Sequence, residues 1–312
     1  MSFQIFADSS ANIPTQEAKN LNIEIISYTV TVNGFERKCF EEGLPFEEIA
    51  KDFYAEMRAG ANVKTSLVGE ATITEALEPA LQKGDDVILI TIASGISGTY
   101  RQALNAQKAL QKRFPERKIF VIDSANASLG EGLLAIKAAK LRAMGESVET
   151  CAEWLTENTY KMNSYVTVGD LKYLRRGGRV NAALAIAGSL LNIKPILRAD
   201  GGKEAKLVFS GREHGRKKAI SALVKAFDAN VLHPESQTVA IAHADCEDEA
   251  YALAETLKEH GARDIIIEYY DLCTGSHAGP GTLALFFAGK DRRTPAAQPN
   301  AIPAGKRVLT KS

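Results

Sequence analysis

The chain has 312 residues, and its 38 Lys plus Arg balance 38 Asp plus Glu to a formal charge of zero. That balance excludes a basic nucleic-acid footprint and an electrostatic pull towards an anionic membrane, so any membrane contact is at most transient. At 45% hydrophobic residues the chain can bury a core, and its length favours two domains over one.

Four cysteines, Cys39, Cys151, Cys246 and Cys273, stand far apart with no CxxC spacing. They read as isolated thiols of a reducing compartment, not as a disulfide frame or a metal site. Gln4–Ala7 already reads as strand, so no N-terminal signal is visible, and no apolar run nears the roughly 20 residues that span a bilayer. A cytoplasmic protein is expected.

In chain order, short apolar runs alternate with helical patterns, as in a parallel α/β sheet. Phe3–Ala7 is a strand followed by Asp8-Ser9-Ser10. Ile23–Val30 reads as a second strand before a turn at Asn33-Gly34. Pro45–Met57 has helical spacing, and Lys64-Thr65-Ser66 precedes a helix from about Gly69. Val87–Ile92 is a strand that ends in Ala93-Ser94-Gly95-Ile96-Ser97-Gly98-Thr99-Tyr100, after which Arg101–Ala106 is helix-like. Lys118–Ile122 is a strand ending in Asp123-Ser124, and helices follow over Gly132–Met144 and Val148–Glu157.

The character changes near residue 160, which divides a first domain (1–160) from a second (161–290). Tyr165–Val168 is a strand, Asp170 caps a short helix, and Gly177-Gly178 stops it. Ala182–Asn192 is apolar and helical, and Lys194–Leu197 is extended. Helices over Arg216–Phe227 and Glu247–His260 flank the strand Thr238–Ala242, and Ile265–Tyr269 and Leu283–Phe287 are late strands. From 291 to 312 Pro and Ala mix with scattered charges, which reads as a disordered tail.

The loop Ala93–Tyr100 is the most informative segment. Small hydroxyl and glycine residues between a strand and a helix let backbone N–H groups approach a phosphate or carboxylate. Asp8-Ser9-Ser10 and Asp123-Ser124 also follow strands, where open α/β sheets bind ligands, although Asp8 and Asp123 themselves suit caps and turns better than catalysis. Gly95-Ile96-Ser97-Gly98-Thr99 nearly matches a hydrolase nucleophile elbow but has Thr99 where the last glycine belongs; a binding serine is the better reading. His243-Ala244-Asp245-Cys246 has the residue types of a fragment of a metal site, but Asp245 capping the helix that follows explains it more cheaply. His214, His233 and His260 are surface residues. Ser276–Thr282 reads as a second loop, which sets His277 among glycines. There is no GxxxxGK[ST] and no GxGxxG, so the chain lacks a nucleotide loop of its own.

Taken together, Asp8-Ser9-Ser10, Lys64-Thr65-Ser66, Ser94–Tyr100, Asp123-Ser124, Asp170–Arg179, Leu191–Leu197, Arg212 and His277-Ala278-Gly279-Pro280-Gly281 resemble the DegV family. These are fatty-acid-binding proteins that serve a bacterial fatty acid kinase in phospholipid metabolism. The resemblance spans about Phe3 to Lys290 and implies two α/β domains with a ligand tunnel between them. It also implies that Thr65 and Ser97, with Ser66 and Gly98 beside them, hold a long-chain fatty acid by its carboxylate. His277 would lie beside that group, and His277 and Arg212 would serve phosphoryl transfer. ATP and metal would come with a separate kinase subunit, leaving this chain a lipid-binding subunit and not an enzyme, with no cofactor of its own. Ser276 in place of a frequent threonine, a slightly long Asp200–Val208 segment and the tail beyond Lys290 depart from the family pattern.

Elementary chemistry agrees with that implication. Each buried methylene contributes roughly 0.8 kcal/mol, so a long acyl chain needs an enclosed tunnel. A carboxylate is ionised at neutral pH; it needs positioning and relief of anion repulsion, not a general base. Two other classes fit the residues: a serine hydrolase acting through Ser97 without ATP, and a lipid carrier unconnected to any kinase.

Overall fold

A computed structural model describes residues 3–41, 43, 46–178, 192–202 and 206–294. The first half runs β1 (Phe3–Asp8), α1 (Thr15–Asn20), β2 (Ile23–Ile26), β3 (Thr29–Val32), β4 (Phe35–Lys38), α2 (Phe46–Arg58), β5 (Val63–Thr65) and α3 (Glu70–Gln82). It continues through β6 (Asp86–Thr91), α4 (Thr99–Arg113), β7 (Ile119–Asp123), α5 (Leu129–Ala143) and α6 (Val148–Asn158). The second half runs β8 (Met162–Thr167), α7 (Leu171–Gly177), β9 (Ile193–Ala199), β10 (Leu207–His214) and α8 (Arg216–Asn230). It ends with β11 (Thr238–His243), α9 (Glu247–Glu259), β12 (Asp264–Tyr269), α10 (Leu272–Ala278) and β13 (Leu283–Ala288).

These elements build two α/β units. One holds a parallel sheet in the order β2-β1-β6-β7, with the antiparallel β4-β3-β5 beside it. The other holds a mixed sheet in the order β10-β9-β8-β13-β11-β12, parallel only between β11 and β12. All six residues of β1 and of β6 are buried, which is why Val87–Ile90 reads as a continuous apolar run and β1 carries apolar residues on both faces. Helix α5 buries Leu129, Leu133, Leu134 and Ile136 together with Gly130, Glu131 and Gly132, as a helix covered on all sides must. One apolar core runs from Phe3 and Ile5 through those α5 residues to Val166 and Phe286 of the mixed sheet.

The chain departs from its local signals at four places. Ile23–Val30 is not one strand. It breaks at Ser27-Tyr28, because Tyr28 turns inward to bond Thr99 while Ser27 Oγ accepts from the Phe40 amide at 3.0 Å. His277 is not in a loop; it lies in the last turn of α10. Asp245 does not cap α9: it sits at φ 56° and pairs with Arg58, and Cys246 holds the N-cap position without a side-chain bond. Of the stretch 291–312, residues 291–294 are described, and Arg292 is 9% exposed and donates to the carbonyls of Ala125, Thr159 and Asp200. The expected helix Ala182–Asn192 falls outside the described residues except for Asn192. By contrast, α7 starts at an Asp170 cap and stops at Gly178 with φ 65°, as its residues predict.

Candidate functional site

The switch point of the parallel sheet lies between β1 and β6, where the chain winds to β2 on one side and to β7 on the other. Ligands of open α/β sheets bind beyond the strand ends at such a point. Here Asp8 closes the crevice itself. Its carboxylate accepts from the Ile92 amide at 2.9 Å and the Ser10 amide at 3.0 Å, and burial pushes it up to about 6. Asp123 similarly accepts from the Ser94 and Ala125 amides at 3.1 and 2.9 Å. Both act as turn formers.

Above them opens a cavity of about 610 Å³ whose walls come from both units. Thr65, Ser66, Ser97, Gly98 and His277 all line it, so five of the six residues singled out from sequence meet at one place. Arg212 does not. It is exposed on β10, paired across to Pro195, although Leu207 of the same strand reaches the cavity wall. The apolar walls include Ile92, Ile96, Val166, Val168 and Leu174.

One side of the polar end is a set of hydroxyls. Thr65 is the last residue of β5, registered against Val30, and the Ser66 amide donates to Thr29 O at 3.1 Å. Ser97 Oγ lies 3.0 Å from Thr99 Oγ1 and 3.3 Å from the Tyr28 hydroxyl, which itself lies 2.6 Å from Thr99. Burial holds the Tyr28 phenol well above its usual range, so it remains a protonated donor. Gly98 occupies the N-cap of the 15-residue α4 and brings no side chain to it, and such an end carries roughly half a positive charge. Arg101, in the first turn of α4, also lines the cavity, and no Asp or Glu is among the described residues that do.

The other side is α10. His277 Nε2 lies 2.9 Å from Thr65 Oγ1. A Cβ on Gly177, at the end of α7, would sit 2.7 Å from His277 Nδ1, so glycine there leaves room for the imidazole. Ser97 Oγ has Tyr28 and Thr99 as its hydroxyl partners, while the cavity histidine bonds Thr65. That is not the nucleophile–base pair a hydrolase needs.

Tyr28, Thr99, Arg101, Thr274 and the α10 cap were missed as site residues. Thr99 lies within the loop already singled out, and Asp271 is a residue type that caps helices; the others carry no local signal. His243-Ala244-Asp245-Cys246 does not converge: the His243 ring lies tilted against Tyr269 with centroids 4.1 Å apart, burial pushes it down to about 4, and Cys246 Sγ faces Thr282 O at 3.3 Å. No helix among the described residues is long and apolar enough to cross a membrane.

Known proteins share this architecture. A DegV domain-containing protein of Clostridium perfringens is 35% identical over 288 residues, 92% of this chain and 97% of its own length. The solved structure of a DegV family protein from Thermus thermophilus, described for its fatty acid binding, superposes with a TM-score of 0.80 at 27% identity, covering 92% of this chain and 99% of that one. DegV of Bacillus subtilis, described as a fatty acid binding protein, gives a TM-score of 0.77 at 30% identity, covering 93% and 100%. The family model of the DegV proteins matches residues 2–290, and the chain belongs to the DegV family.

Proposed function

We propose that this protein binds one long-chain fatty acid and presents its carboxylate to a separate ATP-dependent kinase subunit, which converts it to an acyl phosphate. The observation that carries the reading is the cavity itself: apolar walls lead to hydroxyls, a helix N-terminus, Arg101 and His277, with no lining carboxylate among the described residues. Its volume of about 610 Å³ is within the range of roughly 300–1,000 Å³ for pockets that enclose small ligands. The fatty acid binding described for the Thermus thermophilus and Bacillus subtilis relatives supports the same ligand class.

Thr65 and Ser97 hold the carboxylate by their hydroxyls, with Ser66 and Gly98 alongside. His277 and Arg212 serve the transfer step by offsetting charge where two anions meet. ATP and metal belong to the partner, the chain works as a binding subunit in the cytoplasm, and it meets membranes only transiently. Denaturing organic extraction of protein made in bacteria should yield close to one fatty acid per chain by mass spectrometry. Well-folded protein that yields none removes the reading. Incubating the loaded protein with ATP should give acyl phosphate only when the kinase subunit is added; its absence there leaves a lipid carrier instead.

A further inference from the structure

His277 reaches the cavity on a helix too short to stand alone. Helix α10 has seven residues, and a helix of that length is not stable without tertiary support. It also carries Gly275 in its interior, which lowers its propensity further; the Tyr54 ring packs where a Gly275 side chain would be, and its hydroxyl donates to Tyr270 O at 2.9 Å. Four of the seven residues, Cys273, Thr274, His277 and Ala278, face the cavity.

What fixes α10 is its N-terminal end. Asp271 is 2% exposed. Its Oδ1 accepts from the amides of Cys273 at 2.8 Å and Thr274 at 3.0 Å, and its Oδ2 accepts from the Thr274 hydroxyl. The cap is tied in turn to the other unit. Asn12, in the left-handed conformation at φ 59° after the β1 turn, donates through Nδ2 to Tyr269 O at 2.6 Å and accepts the Asp271 amide on Oδ1. Its carboxamide therefore pairs with the β12–α10 corner as a strand would, across 257 residues of sequence. Neither Asp271 nor Asn12 lines the acyl cavity; both face a separate small recess with Ser9 and Cys39.

We propose that Asp271 and Asn12 are positioning residues of the head-group site: Asp271 caps α10, Asn12 anchors that cap to the parallel sheet, and together they hold His277 at hydrogen-bond distance from Thr65. Its effect on ligand binding rests on the fatty-acid reading above, while its effect on His277 does not.

The test reads His277 directly. The chain has five histidines, so the His277 ring nitrogen signals of ligand-free protein are assigned by their loss in His277→Ala. Asp271→Ala and Asn12→Ala should shift those signals, and Asp271→Asn, whose amide oxygen still caps, should restore them. Ser147→Ala removes the cap of α6, where Ser147 Oγ accepts from the Thr150 amide, and should lower stability without moving the ring signals. In binding assays with a defined long-chain fatty acid, Asp271→Ala should weaken affinity about tenfold, or 1.4 kcal/mol, with most of it restored in Asp271→Asn. Should Asp271→Ala fail to fold, Asn12→Ala carries the test, because it leaves the cap in place. Unmoved ring signals in Asn12→Ala and Asp271→Ala overturn the proposal, as do equal shifts in Ser147→Ala. Shifted signals in a protein that binds no fatty acid uphold the positioning and refute only the ligand.

Discussion

The two sides of the polar end are held in opposite ways. On the hydroxyl side the Ala93–Gly98 cradle is built from the chain's own continuity, with Thr65 and Tyr28 brought up to it: β6 runs into that turn and then into α4, with the Ser97 amide donating to Ala93 O at 3.2 Å. The histidine side is built from afar. Helix α10 takes its place from Asn12 and Tyr54 of the other unit, and His277 meets Thr65 across 212 residues. A site of this kind joins a locally encoded anion cradle to a group that is delivered only when the two units dock. On the proposed reading, the hydroxyls carry most of the affinity for the carboxylate, and His277, which adds to that affinity, carries most of the transfer step.

That division predicts the largest effect for the transfer step. Removing a preorganised charge-stabilising donor typically costs about 10²–10³ in turnover. His277→Ala should therefore lower acyl-phosphate formation with the kinase subunit by about that factor, and Arg212→Ala should lower it in the same direction. Arg212 is exposed and off the cavity wall, so Arg212→Ala should keep its full complement of extracted fatty acid. Loss of lipid in step with turnover in Arg212→Ala would abolish the division between the two sides.

Within binding, Thr65 and Ser97 should differ in kind. Losing a hydrogen bond to a charged group costs roughly 1.5–3 kcal/mol, so Thr65→Ala and Ser97→Ala should each weaken fatty-acid affinity by about 10- to 100-fold. Thr65 also bonds His277, whereas Ser97 bonds Tyr28 and Thr99. Thr65→Ala should consequently shift the His277 ring signals and Ser97→Ala should not. Equal affinity of both variants with the parent would remove the hydroxyls from the head-group site.

The same contrast explains which parts were legible in the sequence. The cradle was readable because a buried parallel strand, a Gly/Ser loop and a helix start follow one another within a dozen residues. The cap and stop of α7 were readable for the same local reason. The histidine side was not. Gly275, Gly279 and Gly281 carry the composition of a loop, and distant partners, among them the Tyr54 ring on Gly275, with the cap on Asp271, support residues 272–278 as a helix. Tyr28 was hidden inside an apolar run whose break depends on Thr99, 71 residues away. Asn12 is a turn residue, with a left-handed backbone after β1. Its second role depends on β12 being delivered beside it.

The two sides should also separate by pH, through the buried carboxyls behind them. Burial pushes Asp8, the brace of the β6 end, up to about 6, and Asp271, the brace of α10, up to about 7. It pushes Glu268 up to about 7 and Glu131 well above the carboxylate range. In the unfolded chain these groups titrate near 4. Between pH 4 and each folded value, the folded protein keeps a proton that the unfolded chain has released, so stability falls as pH rises across that window. His243 acts in the reverse sense, since burial pushes it down to about 4: protonation of the unfolded chain removes stability as pH falls from about 6.5 to 4. One group opposes four, and urea midpoints should therefore decline from pH 5 to pH 7. Each retained proton contributes about 1.4 kcal/mol per pH unit. Asp271→Asn should remove one such increment from the slope up to about pH 7, and Asp8→Asn should remove one only up to about pH 6. If the slope between pH 5 and pH 7 survives unchanged in Asp271→Asn, that carboxyl is ionised in the folded protein, and the neutral cap that Asn imitates is not the form that holds α10.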